Sequence, residues 1–207
     1  MKREIIALLL LLAVIGGLSG KTLRFAVGLD MAGEMYSYEY PMFLGYKNET
    51  APTASVQLEL GKGKLNYGFG IDYQFNREVV TPHQWTSDME YQGFLPIYGI
   101  LSYRFETVEK VSPELIGQLG YSVVDVKFKN DNPYEYLSAK GGLFYGFGVG
   151  LNRGKFSLQC LYRVNSFESI YQVLENNIFV EKSRTDTRTS QINVSLGYRL
   201  DLKSSYR

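Results

Sequence analysis

The chain has 207 residues, 22 basic and 21 acidic side chains, and a formal net charge of +1. That balance excludes the basic excess of a nucleic-acid binder, so no nucleic-acid partner is expected. The single cysteine, Cys160, excludes an internal disulfide.

Residues 1–20 read as a secretory signal peptide. Lys2 and Arg3 form a positive region, Ile5 to Ile15 is an unbroken apolar run, and Gly16 to Gly20 supplies small residues for cleavage. The apolar run is shorter than the ~20 residues of a spanning helix. Residues 21–207 suit one domain. They carry no further apolar run of that length, so membrane insertion would have to use strands.

Eight segments then alternate between apolar and small or polar residues. Side chains alternate across a strand, so each segment has two chemically distinct faces. The first, 23–31, sets Leu23, Phe25, Val27, Leu29 and Met31 against Arg24, Ala26, Gly28 and Asp30. The second, 54–60, is short. It sets Val56, Leu58 and Leu60 against Ser55, Gln57 and Glu59. The third, 65–75, is free of error, with Leu65, Tyr67, Phe69, Ile71, Tyr73 and Phe75 against Asn66, Gly68, Gly70, Asp72 and Gln74. The fourth, 94–105, points Leu95, Ile97, Leu101, Tyr103 and Phe105 one way and Pro96, Tyr98, Ser102 and Arg104 the other. The fifth, 115–128, loses its phase at Asp125, which predicts a bulge or the exit from a membrane. The sixth, 140–152, sets Leu143, Tyr145, Phe147, Val149 and Leu151 against glycines. The seventh, 156–164, alternates Phe156, Leu158, Cys160, Tyr162 and Val164 with Ser157, Gln159 and Arg163. The eighth, 191–202, is clean from Ile192 to Leu202.

The connections alternate in length. Those at 32–53, 76–93, 129–139 and 165–190 are long, and those at 61–64, 106–112 and 152–155 are short. Short periplasmic turns, longer extracellular loops and an even strand number are the pattern of outer-membrane barrels. Segments 169–174 and 178–180 flank a turn, so the last long connection is expected to extend the seventh and eighth strands as a hairpin. The predicted fold is an all-β, eight-stranded antiparallel up-and-down transmembrane barrel. Ten strands are the alternative, weakened because the additional segments fall short of the ~9–11 residues needed to span. Both termini would be periplasmic. The apolar faces carry no charge before Asp125, and Arg or Lys facing lipid at mid-depth costs ~2–4 kcal/mol. The apolar face is therefore expected to meet outer-membrane lipid.

On these segments the chain resembles the small OmpA/OmpX-like family of outer-membrane barrels, most closely at 142–151 and in the last strand. Ser195, Gly197, Leu200 and Leu202 also resemble the C-terminal signal read by the barrel-assembly machinery, with Leu where aromatics are usual and with five further residues.

No catalytic constellation assembles, and no enzyme activity, cofactor or metal is expected. The one histidine, His83, stands beside Gln84 and Trp85 in a long connection, where it reads as an interfacial anchor. The inward charges Arg24, Asp30, Glu59, Asp72, Arg104, Arg163 and Arg199, with Glu114, predict an internal salt-bridge network. Arg24 is expected beside Glu59, and Arg199 against the first strand. An eight-stranded barrel is just wide enough for side chains to fill it. Tyr36, Tyr38, Tyr40, His83 and Trp85 are candidate loop contacts for an extracellular partner. The expected role is structural or interactive at the surface. A small channel for ions or solutes is the second reading, and a lipid-modifying enzyme a minor third.

Overall fold

The computed structural model describes residues 21–39, 42–61, 63–80, 89–106, 110–128, 135–175 and 178–202. The signal-peptide reading of residues 1–20 falls outside the described residues, as do Tyr40, His83, Trp85 and the five residues after Leu202. The described residues form nine strands: β1 (Lys21–Glu39), β2 (Met42–Asn48), β3 (Ala51–Glu59), β4 (Leu65–Val80), β5 (Met89–Arg104), β6 (Val111–Phe128), β7 (Glu135–Arg153), β8 (Phe156–Glu175) and β9 (Ile178–Leu202). Sequential antiparallel pairing runs from β3 to β9, and β1 pairs both β3 and β9. The sheet therefore closes on itself through eight staves, which leaves no unpaired strand edge in the closed wall.

The ring is sheared. A walk along ladder partners from Arg24 passes Gln57, Gly70, Tyr98, Gly120, Phe144, Asn165 and Thr189. It returns to β1 at Met35 instead of at Arg24. Closure with such a stagger requires the strands to tilt against the barrel axis. The turn between β7 and β8 is only Gly154 and Lys155, flanked by the ladder pair Arg153–Phe156. Gly154 has φ of 59°, the left-handed backbone that a two-residue hairpin turn demands.

The second stave is interrupted. β2 and β3 are separate strands, yet both hold one register against β1: Gly33 faces Asn48 and Thr22 faces Glu59. They also share one register against β4, through Asn48–Val79 and Thr53–Gln74. The break at Glu49 and Thr50 lies beside the point where β1 shifts register against β9, between Met31 and Glu34. The long connection expected at 32–53 is thus largely strand. The last long connection is a β8–β9 ladder up to Glu175–Ile178, with one register shift between Tyr171 and Gln172, in line with the expected hairpin; Asn176 and Asn177 lie outside the described residues. Strand residues beyond the belt have water on both faces, so the alternation that marks a strand inside the membrane fades there.

The faces follow the alternation. On β4, Phe69 is 63% exposed while Gly70 and Asp72 are buried. Exposed outward residues such as Val27, Ile97, Leu119, Phe147 and Leu196 form a continuous apolar belt. Aromatic pairs stand on it, among them Tyr73–Phe75, Tyr103–Phe105 and Phe156–Tyr198, with ring centroids 4.7, 5.0 and 5.4 Å apart. Cys160 is a free thiol on the same outward face. Val164 and Leu58 share the outward phase but are covered by their neighbours. At Asp125 the phase is not broken: Gly93–Asp125 continues the β5–β6 ladder, and the side chain is exposed. The bulge expected at Asp125 is therefore absent.

Candidate functional site

The barrel interior is where the sequence places its charges. Gly70 sets its architecture. A Cβ there would fall 2.5 Å from the Tyr98 ring, so the absence of a side chain on β4 lets Tyr98 of β5 lie flat against the wall. The Tyr98 hydroxyl accepts a hydrogen bond from Gln57 Nε2 at 2.9 Å and donates to Asp72 Oδ1 at 2.5 Å. Asp72 in turn meets Arg163 Nη2 at 2.9 Å, and Arg163 Nη1 lies 4.0 Å from Asp30. Asp30 accepts from Gln191 Nε2 at 3.0 Å and Asn193 Nδ2 at 2.8 Å. Gln74 Oε1 accepts from Gln191 and Asn165. Six staves, β1, β3, β4, β5, β8 and β9, are tied across the lumen by this one network.

A second cluster closes the end that carries the short turns. Glu59 lies 3.2 Å from Arg199 and 3.7 Å from Arg104. Glu114 accepts from Ser102 at 2.7 Å and Asn152 at 2.9 Å, and lies 3.3 Å from Arg199. Arg104 stands 3.7 Å from Glu114 as well. Arg24 and Glu59 stand on paired neighbouring strands, one inward row apart. Arg24 is the ladder partner of Gln57 and donates from Nη1 to its Oε1 at 3.3 Å, whereas Glu59 faces Thr22. The apolar rows on the outer face fix the pairing, and charge pairing across the lumen adapts to it. Arg199 is the ladder partner of Arg24, so it does close against the first strand. Opposed like charges are unfavourable, and the nearby Glu59 and Glu114 offset them.

The interior also has an apolar side. Tyr98, Ile100, Ile116, Phe144 and Leu161 form one buried cluster. Tyr98 and Phe144 rings lie 5.3 Å apart, and Phe94 meets Phe167 at 5.9 Å toward the loop end. The sequence reading placed Tyr98 on an inner face and missed the other residues of this side. The signal was present: Ile100, Ile116 and Leu161 are apolar residues standing in the polar phase of their segments.

Among the loop candidates, Tyr36 lies on β1, where its hydroxyl donates to Glu34. Tyr38 lies on β1 opposite Phe43. Beyond the belt, β8 and β9 carry an ion triad in which Arg184 meets Glu181 at 3.2 Å and Glu168 at 3.4 Å. Hydrogen bonding to Glu181, then the two carboxylate charges, holds the Arg184 guanidinium above its ordinary pKa.

Closed ring, outward belt and polar lumen together define an eight-stranded barrel of the outer-membrane type. No protein-family model and no curated protein sequence matches the chain. Among solved structures it is similar to the outer-membrane protein OprG from Pseudomonas aeruginosa. The TM-score is 0.58 at 8% identity, over 89% of this chain and 97% of that one. It is also similar to the outer-membrane protein AlkL, determined in lipid bilayers by solid-state NMR. There the TM-score is 0.51 at 14% identity, over 91% and 94% of the two chains. At such identities the likeness is one of fold.

Proposed function

We propose that the chain is an integral outer-membrane barrel of the small OmpA/OmpX-like kind, with a structural or surface-interaction role carried by its long extracellular strands. The carrying observation is the filled lumen. Four arginines, Arg24, Arg104, Arg163 and Arg199, face four carboxylates, Asp30, Asp72, Glu59 and Glu114, and an aromatic and aliphatic cluster occupies the remaining side. Ion pairs and hydrogen bonds bridge the lumen, and β8 and β9 stay ladder-paired as far as Glu175–Ile178. In this reading the short turns and both termini are periplasmic, and residues 1–20 direct export. The last strand, through Ser195, Gly197, Leu200 and Leu202, addresses the assembly machinery. No catalysis is part of the proposal.

A channel is the second reading, and one observation favours it. Both side-chain polar atoms of Gln118, and the hydroxyls of Ser122 and Ser157, are buried without a protein hydrogen-bond partner. Buried polar atoms of this kind normally bind water, which supports a thin hydrated path beside the ion pairs. Planar-bilayer recording separates the two. The proposal expects no steady single-channel steps from the refolded chain; reproducible steps favour the channel. Protease treatment of intact cells tests the display: cleavage between β8 and β9 is expected, and protection of that hairpin with cleavage at Gly154 reverses the orientation.

A further inference from the structure

The outer wall is not uniformly smooth. A groove of about 640 Å³ crosses it from Phe156 on β8 to Leu95 on β5. Its floor is the backbone of one inward-facing row, Gly197, Ala26, Ser55 and Asp72, which are successive ladder partners. The outward rows on either side form its walls. Val27, Ala54 and Val56 keep the middle low, while Phe156, Tyr198 and Tyr73 raise its ends.

We propose that this groove holds one acyl chain of an anionic glycerophospholipid in the leaflet at the turn end, with the lipid phosphate on Lys155. The inference rests on the membrane-spanning reading above. The two walls stand two residues apart along each strand, or ~6.6–6.8 Å. Packed carbons sit at ~3.5–4.0 Å, so a single row of methylenes rests at the mouth of the trough in contact with both walls, and a second row beside it does not fit. From β8 to β5 it crosses five interstrand steps, ~24 Å in all. On strands tilted by ~45° that path climbs ~17 Å, about half of a ~30 Å hydrocarbon core. The groove thus has the width of one chain and the height of one leaflet.

Its foot carries the matching charge. Lys155 Nζ lies 5.9 Å from the centroid of the Tyr198 ring, and Tyr198 packs against Phe156. The backbone N–H of Arg199 donates to the Lys155 carbonyl at 2.8 Å, which ties the turn to β9. A lysine ammonium meets phosphate as a point charge, and an aromatic pair beside it suits the membrane interface. A second copy of the barrel is the competing occupant. Its convex wall would bridge the trough and leave the floor unfilled, which close packing disfavours.

The test uses the full refolded chain in nanodiscs of mixed phosphatidylglycerol and phosphatidylcholine. The chain is extracted into detergent, and retained lipids are counted by native mass spectrometry. One phosphatidylglycerol per barrel is expected to survive extraction. Ala54→Trp, which fills the trough, should cut that occupancy about tenfold. Lys155→Gln should erase the preference for phosphatidylglycerol over phosphatidylcholine. Leu119→Trp, on the exposed outer face of β6, should change neither. A gel-mobility difference between unheated and boiled samples shows that each variant is folded. Equal retention by the parent and Ala54→Trp overturns the inference. A cross-linkable dimer lost in Ala54→Trp, with the lipid count unchanged, overturns it in favour of a second copy. Failure to enter the nanodisc at all sinks the membrane reading itself, whereas entry without retained lipid sinks only this site.

Discussion

At the scale of single residues, the lumen is built on partnerships that fail when one member is removed. Asp72 and Arg163 are both fully buried, and 2.9 Å separates them. Loss of one partner from a buried ion pair costs about 3–5 kcal/mol, because the other charge stays behind. Asp72→Ala and Arg163→Met should each lower the urea midpoint of the refolded barrel accordingly. The double variant should lose clearly less than the sum of the two; additive losses would show that the pair is not coupled. Gly70 is the second sensitive point, since any Cβ meets Tyr98. Gly70→Val should cost about 1–3 kcal/mol as overpacking, and a variant as stable as the parent would contradict the flat seating of the ring. On the outer face, Leu119→Arg should cost about 2–4 kcal/mol in the same titration.

At the scale of elements, the sequence was most informative where two solvents sort the side chains. From Leu65 to Phe75 lipid selects one face and a packed lumen the other, and the strand, its phase and its partners follow. β2 went unread for the opposite reason: with water on both sides, Met42 to Asn48 need not alternate. The contents of the lumen were half legible. Arg163 and Asp72 announce themselves because charge in a half-buried strand needs a partner. Leu161 does not, because an apolar residue in the inner phase looks like noise until Phe144, Ile100 and Ile116 are seen around it. Pairing across the lumen was beyond reach, since it depends on the shear of the whole ring. The β8–β9 extension is expected to be separable from that ring. Replacing residues 169–185 by a two-residue Asn-Gly turn removes ladder pairs above the belt only and shortens a loop, which eases chain closure slightly. Heat-dependent gel mobility and the urea midpoint should be retained; loss of the folded band would mean that the extension nucleates the barrel.

At the scale of the whole molecule, the closed ring and its extended strands differ in what holds them. Within the belt every stave is paired on both sides, with a cross-linked lumen behind it. Hydrogen exchange in bilayers should therefore find the slowest amides between Glu114 and Gly120, where β6 pairs both β5 and β7, and faster exchange from Ile178 to Asp186, where β9 pairs only β8. Uniform protection would contradict this division, since local opening free energies track local contacts. The interrupted second stave gives the division a further use. β2 and β3 keep one register across Glu49 and Thr50, while β1 carries its own irregularity beside them. The arrangement works as an expansion joint. Matched additions to β1 and β2 above it lengthen the exposed hairpin by whole pleats and leave every lipid-facing side chain below in place. The outer surface of this barrel can change in reach and sequence while the part that lives in the membrane stays as it is.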